Sequence, residues 1–288
     1  MIDLFISILL NGVFLGLSLL LVALGLTLML GIMRIVNIAH GEFFMLSGMI
    51  VWYAVVRVGL SYWLGLLAAI IIASLLGIGL ERYVLRRFRG NLINGFIACM
   101  AVIMIMQTGA SLLFGFPPKS MPSQFKGTIT ILSLPYSTER LTILLISTAL
   151  AAAALFLVKS TRLGRSMRAV SQDEVAAAIQ GVSVGSICTI TMVLGCVLAA
   201  VAGALMAPIF LVSAFMGMPL LLKALIAMVV GGWGSVAGVI IGALFIGILE
   251  STLVTLASSE VATMILFSIL ILVLIVRPTG LLGAGLTE

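Results

Sequence analysis

Apolar runs at about residues 4–32, 41–57, 60–80, 92–114, 141–158, 187–215, 220–250 and 260–276 follow one another along the chain with few polar interruptions. Most are long enough to cross a hydrocarbon core of ~30 Å as helices. Of the 288 residues, 63% are hydrophobic and 8% are charged, against about 25% charged in soluble domains. So few charges cannot cover even one water-soluble globule. The expected fold class is all-α, a polytopic membrane helical bundle. Residues 1–288 form a single transmembrane domain, because no hydrophilic stretch is long enough to hold a second core. Met1-Ile2-Asp3 carries an acid where a signal peptide carries basic residues, so the first run is expected to stay as a span. Cys99, Cys188 and Cys196 all lie inside apolar segments, which points to packing rather than metal binding.

The net charge of +6 matters less than its distribution. Arg82, Arg86, Arg87 and Arg89 form one basic cluster, and Lys159, Arg162, Arg165 and Arg168 a second. Neither is interleaved with aromatic residues, so nucleic acid is not an expected partner. Lys and Arg gather in cytoplasmic loops. Two spans, Leu92 to Phe114 and Leu141 to Val158, separate the clusters, so both can lie inside, which puts residues 115–140 outside. In that outer loop, Thr128 to Ile131 alternates like a short strand or hairpin. The same count puts Arg34 inside and the N-terminus outside. If Arg277 is also inside, an even number of crossings must follow Glu174, yet three apolar runs remain. One of these, 220–250, is overlong and contains Gly231-Gly232-Trp233-Gly234-Ser235. It is either two spans or a re-entrant pair of half-helices, giving eight or nine crossings.

A second break, Asn37-Ile38-Ala39-His40-Gly41, lies near the start of the chain. Transporters built from inverted repeats carry breaks at corresponding places in each half, and small residues follow both: Ser47 and Gly48, then Gly238, Gly242 and Gly247. The alternative is that glycine is simply common in membrane helices. Asn37 suits the cap of the following helix, and Glu42 its positive end. Arg34 to Glu42 reads either as a capped interfacial turn with Arg34 snorkelling or as the lining of a cavity. His40 is the single histidine, which removes a His-based metal cluster and a serine triad.

After the second basic cluster, Ser171 and Glu174 stand at capping-box spacing and Gly181 suits a helix stop, predicting a short inner helix over about 172–180. Ala176, Ala177 and Ala178 would let another protein approach closely. A plain solvent-facing connector is the alternative.

Three stretches resemble the permease subunits of branched-chain amino acid (Liv-type) ABC importers: Asn37-Ile38-Ala39-His40-Gly41-Glu42, the segment Gly164 to Gly181, and Leu222-Lys223-Ala224-Leu225 with Gly231 to Ser235, Gly238 and Gly242. They occur in the family's order, and the resemblance runs over nearly the whole chain. It implies a translocating subunit in the bacterial inner membrane, paired with a second related permease, most simply as a heterodimer. ATPase subunits would bind below and a periplasmic binding protein above. The residues agree on one point: the chain has no Gly-x-x-x-x-Gly-Lys-Ser/Thr phosphate loop, so ATP and Mg would sit on the partner ATPases, with no cofactor on this chain.

By resemblance, residues 159–186 form the cytoplasmic coupling segment, with Gly164, Arg165, Arg168, Asp173, Glu174, Ala176, Ala177 and Gly181 at or around the ATPase contact. Asn37, Ala39, His40, Gly41, Glu42, Lys223 and Gly231, Gly232, Trp233, Gly234 and Ser235 are the expected pathway or gate. Trp233 departs from the family's aliphatic residue. Lys223 either attracts a substrate carboxylate or snorkels, and Glu250 and Glu260 mark span ends. The implied substrates are branched-chain amino acids, the alternatives being urea, short amides or other small amino or organic acids. An ion-gradient-driven secondary transporter is the reading of another class, but it expects an acid at the centre of an apolar run, and none is evident. A membrane-embedded enzyme lacks the residues for chemistry.

Overall fold

The first apolar run folds as one 32-residue helix, α1 (Ile2–Met33), about 48 Å long at ~1.5 Å per residue. The computed structural model describes residues 2–89, 91–131, 134–277 and 280. Met1 of the expected first span, Leu132 and Ser133 of the outer loop, and the last eight residues of the single domain lie outside the described residues. After α1 come α2 (His40–Trp52), continued by a π-helical turn over Tyr53–Arg57, and α3 (Tyr62–Gly79), continued through Leu80–Val84 and Leu85–Phe88. Next are α4 (Leu92–Phe114), β1 (Thr128–Ile131), β2 (Leu134–Ser137), α5 (Thr138–Ser160), α6 (Arg162–Gln172) and α7 (Glu174–Ile179). The chain closes with α8 (Val184–Met206), α9 (Gly217–Gly231), α10 (Val236–Leu256) and α11 (Ser259–Val276). The strands pair antiparallel, Thr128 opposite Ser137, as the hairpin the alternation suggested.

Among the described residues seven helices are long and apolar enough to cross a membrane. Two shorter ones, the 13-residue α2 and the 15-residue α9, complete the bundle. α1 and α8 are its antiparallel centre, Gly25 against Gly195. In these two helices 78% and 72% of the apolar window is buried, against 11% in α11. The outer helices turn apolar faces such as Leu112, Leu113, Met264 and Ile275 outward, which is where lipid takes the place of a core.

The two basic clusters share one face. Arg86 donates to the Gly185 carbonyl (3.3 Å) and Thr189 Oγ1 (3.0 Å) at the start of α8, and Arg34 donates to the Ser171 and Gln172 carbonyls (3.2 and 3.4 Å) at the end of α6. By the preference of Lys and Arg for the cytoplasm, this is the inner face. At the opposite end Ser251 donates to Ile8, and Trp52 Nε1 donates to Ser120 (3.1 Å) in the outer loop.

α1 descends to the inner face, and residues 34–39 then climb back into the bundle. α2 begins at His40, whose Nε2 meets the Val22 carbonyl at 3.2 Å. Val22 precedes Met33 by eleven residues, or about 16 Å of helix. α2 therefore starts deep inside and runs outward. The other half repeats this upside down: α8 rises to the outer face, residues 207–216 dip back, and α9 starts deep at Gly217 and runs inward. The two half-helices meet head to head. A Cβ on Gly41 would collide with the Gly217 carbonyl, and one on Gly217 with that of Gly41. This reciprocity is what a pseudo-two-fold axis between the two glycines requires. α3 packs on α8 as α10 packs on α1.

An inverted repeat is thus present, but its second break is 207–216, not the expected 231–235. Gly231 to Ser235 is the inner turn between α9 and α10, where Gly234 lies beside Gly31 at the end of α1. Residues 207–216 carry no polar mark of a break, because they are almost wholly apolar. The overlong run is divided into α9 and α10. Gly280, packed on Val229 and Gly232, returns the chain after α11 to the inner face.

Candidate functional site

At the first break Asn37 is 1% exposed, and its Nδ2 lies 3.8 Å from the sulfurs of Met29 and Met192. Its Oδ1 accepts from Ala39 N (3.1 Å) and from Cys99 Sγ (3.6 Å). Asn37 therefore closes the turn before α2 instead of capping it; the cap position is Ala39, with no side-chain bond. A carbonyl only accepts, so His40 carries its proton on Nε2 and donates to Val22, leaving Nδ1 without a partner. Glu42 is 1% exposed and accepts from Gln107 Nε2 at 2.9 Å, with Oε2 unpartnered. The sequence placed Glu42 between spans, whereas it lies inside the bundle in the first turn of α2. Two orphan polar atoms on one buried turn are costly in an apolar interior. Gln107, an amide well inside α4, was the overlooked signal.

The expected pathway residues fall in three places. Asn37 to Glu42 lie at the deep junction with Gly217. Gly231 to Ser235 form the inner turn, where Ser235 caps α10 through Gly238 N (3.1 Å) and Trp233 is half-buried. Lys223 stands apart from both, ion-paired to Glu250 of α10. That pair faces a cavity of about 810 Å³ reaching from Thr255 and Ser259 at the outer ends of α10 and α11 to Met216, Pro219 and Phe44 beside the paired glycines. Glu250, read as a span-end marker, is thus a cavity residue.

On the inner face α6 and α7 form a bent knob. Thr161 caps α6 through Gly164 N (3.0 Å). Gly164 is buried against the Leu157 and Val158 carbonyls, and Arg168 donates to the latter, so both fasten the knob to α5. Arg165 is exposed. The capping box expected from Ser171 is absent. Asp173 instead caps α7, accepting from Val175 N (2.8 Å) and Ala176 N (3.0 Å), because its extended backbone divides the predicted 172–180 helix. Gly181, at φ +82°, ends α7: Gly181 N bonds Ala178 O and Val182 N bonds Ala177 O, a Schellman stop. Ala177 faces inward, while Ala176 and Ala178 are exposed and Glu174 partly so. Two large apolar side chains of α7 are strongly exposed, Val175 (70%) and Ile179 (80%), an i, i+4 pair on one face.

The family model described as the branched-chain amino acid transport system / permease component matches residues 8–275. The chain belongs to this family. The branched-chain permease relatives include the high-affinity transport system permease protein LivH of Salmonella typhimurium, 33% identical over 97% of this chain and 96% of that one. LivH of Escherichia coli is 32% identical over the same shares. BraD of Pseudomonas aeruginosa is 29% identical over 96% and 94%. Among solved structures, PsaBC from Streptococcus pneumoniae in complex with Fab superposes with a TM-score of 0.54 at 16% identity, covering 97% of each chain. This last likeness shows the fold alone. A branched-chain permease component is a multi-pass membrane transport protein, and the helices described here are of that kind.

Proposed function

We propose that this chain is the translocating subunit of an ATP-driven importer, carrying branched-chain amino acids that a periplasmic binding protein delivers across the bacterial inner membrane. Relatives aligned end to end and named for that substrate class support the reading. The observation that carries it is the inner knob. α7 is held at both ends, by Asp173 and the stop at Gly181, and presents Val175 and Ile179 to solvent. An exposed apolar pair on a rigid, capped turn has the form of a docking peg. ATP and Mg would be held by the ATPase that receives the peg, and a second related permease would complete the pathway. Arg34 gives the peg a lever, since its guanidinium ties the end of α6 to the segment carrying Asn37 and His40.

The test is extraction in mild detergent followed by mass spectrometry of what co-purifies, then leucine uptake by the reconstituted complex. An ATPase, a related permease and ATP-dependent leucine uptake support the proposal; a chain that purifies alone under conditions that preserve other complexes overturns it. Buried Glu42 is the one observation favouring an ion-gradient-driven transporter. Leucine accumulation by the isolated chain without ATP would carry that reading.

A further inference from the structure

The outer cavity holds more charge than its walls require. The wall that Lys223 and Glu250 share is mostly apolar, with Phe14, Leu19, Phe44, Met216, Leu220 and Val254, and its uncharged polar residues are Asn11, Ser18, Ser251, Thr255 and Ser259. An ion pair in such a setting gives little net stability over apolar packing, because both charges must shed water. The fold does not need the lysine either. Lys223 is six residues past Gly217 in α9, and the residue six past Gly41 in the inverted half is Ser47, bonded to its own helix at the Phe44 carbonyl. Both charges keep some exposure toward the cavity, 27% for the Lys223 side chain and 14% for that of Glu250. Arg140, the third charge lining it, donates to Asn11 and lies 5.5 Å from the Phe14 ring.

We propose that Lys223 and Glu250 form a binding station for a zwitterionic amino acid with an aliphatic side chain. This deepens the permease reading and rests on it. An α-amino acid carries its carboxylate and ammonium on one carbon, so the two can replace each other's partners in a side-by-side ion pair. Lys223 turns to the carboxylate, Glu250 to the ammonium, and no charge is left unpaired. The aliphatic side chain then lies against Leu19 and Phe44. A volume of about 810 Å³ is ample for one such ligand, within the ~300–1,000 Å³ of ordinary ligand sites. At its deep end the cavity is lined by Phe44, Met216 and Pro219, neighbours of Gly41 and Gly217, so the station stands on the outer side of the junction of the two breaks.

The test reads binding apart from transport. Cys99, Cys188 and Cys196 are buried, so Leu220→Cys places one reactive thiol in the cavity of the assembled complex. L-Leucine is expected to slow its modification by a small polar thiol reagent at least about fivefold, and the uncharged analogue isovaleramide to leave the rate unchanged. Adding Lys223→Met with Glu250→Gln, which removes the pair without orphaning a charge, abolishes the protection. Should that double variant fail to assemble, Lys223→Gln alone is expected to abolish it. Equal rates with and without leucine, or protection that survives removal of the pair, overturn the station. Leucine uptake by the unmodified complex tests the permease reading separately: uptake without protection removes the station and leaves that reading standing.

Discussion

Two residues at the deep junction have no room for a side chain. Gly41 and Gly217 each face the other's carbonyl, so Gly41→Ala or Gly217→Ala forces the half-helices apart. Overpacking of this kind costs about 1–3 kcal/mol, and a lower thermal midpoint in detergent is expected for both. Gly79→Ala, with nothing near its added methyl, is the control and leaves the midpoint unchanged or raised. Arg34 is unusual in another way: among the described residues it is the only non-glycine with positive φ, at 52°. Arg34→Gly relieves that backbone and Arg34→Ala does not, yet both lose the grip on the Ser171 and Gln172 carbonyls. If the grip transmits motion, both variants consume more ATP per leucine taken up by the reconstituted complex. If only the backbone matters, Arg34→Ala alone is impaired.

Among the elements, α7 makes the sharpest claim. Val175→Asp or Ile179→Asp changes only the exposed stripe, so helix content by circular dichroism stays the same while the ATPase no longer co-purifies. Glu174→Arg leaves the protein in the membrane and uncouples ATP hydrolysis from uptake; normal coupling in all three variants removes the docking assignment. The knob was largely legible in advance, because capping chemistry is local: an acid at the start and a glycine at the end mark a short helix wherever it sits. What misled was the capping-box spacing of Ser171 and Glu174, although Asp173 between them is as good a cap. The extended backbone at Asp173, which decides between the two caps, follows two carbonyls, of Ser171 and Gln172, that Arg34 holds from far off in sequence. Likewise nothing in Lys223 or Glu250 alone foretells their meeting, 27 residues apart, across the α9–α10 turn.

Over the whole molecule, hydropathy marked six of the seven long helices as separate runs without help from tertiary contacts, since lipid imposes the same rule on each; α10 lay hidden in the overlong run, and the 41–57 run became the short α2. The inverted repeat was half legible. Asn37, His40 and Glu42 announce the first break by their polarity, but the second is written in apolar residues around Pro208. Sidedness is directly testable: a membrane-impermeant thiol reagent is expected to label Lys126→Cys from outside and Gln180→Cys from inside. Labelling of both from one side would refute the crossing of α5 between them. The inversion also bears on the order in which the protein is made. α1, α2 and α3 all rest on α8, and Asn37 waits for Met192, 155 residues downstream. At about 5–20 residues per second of synthesis, that partner arrives roughly 8–30 s later. For that interval the nascent first half carries an uncovered seam, and a ribosome that stalls before α8 would leave an inserted fragment for membrane proteases to clear.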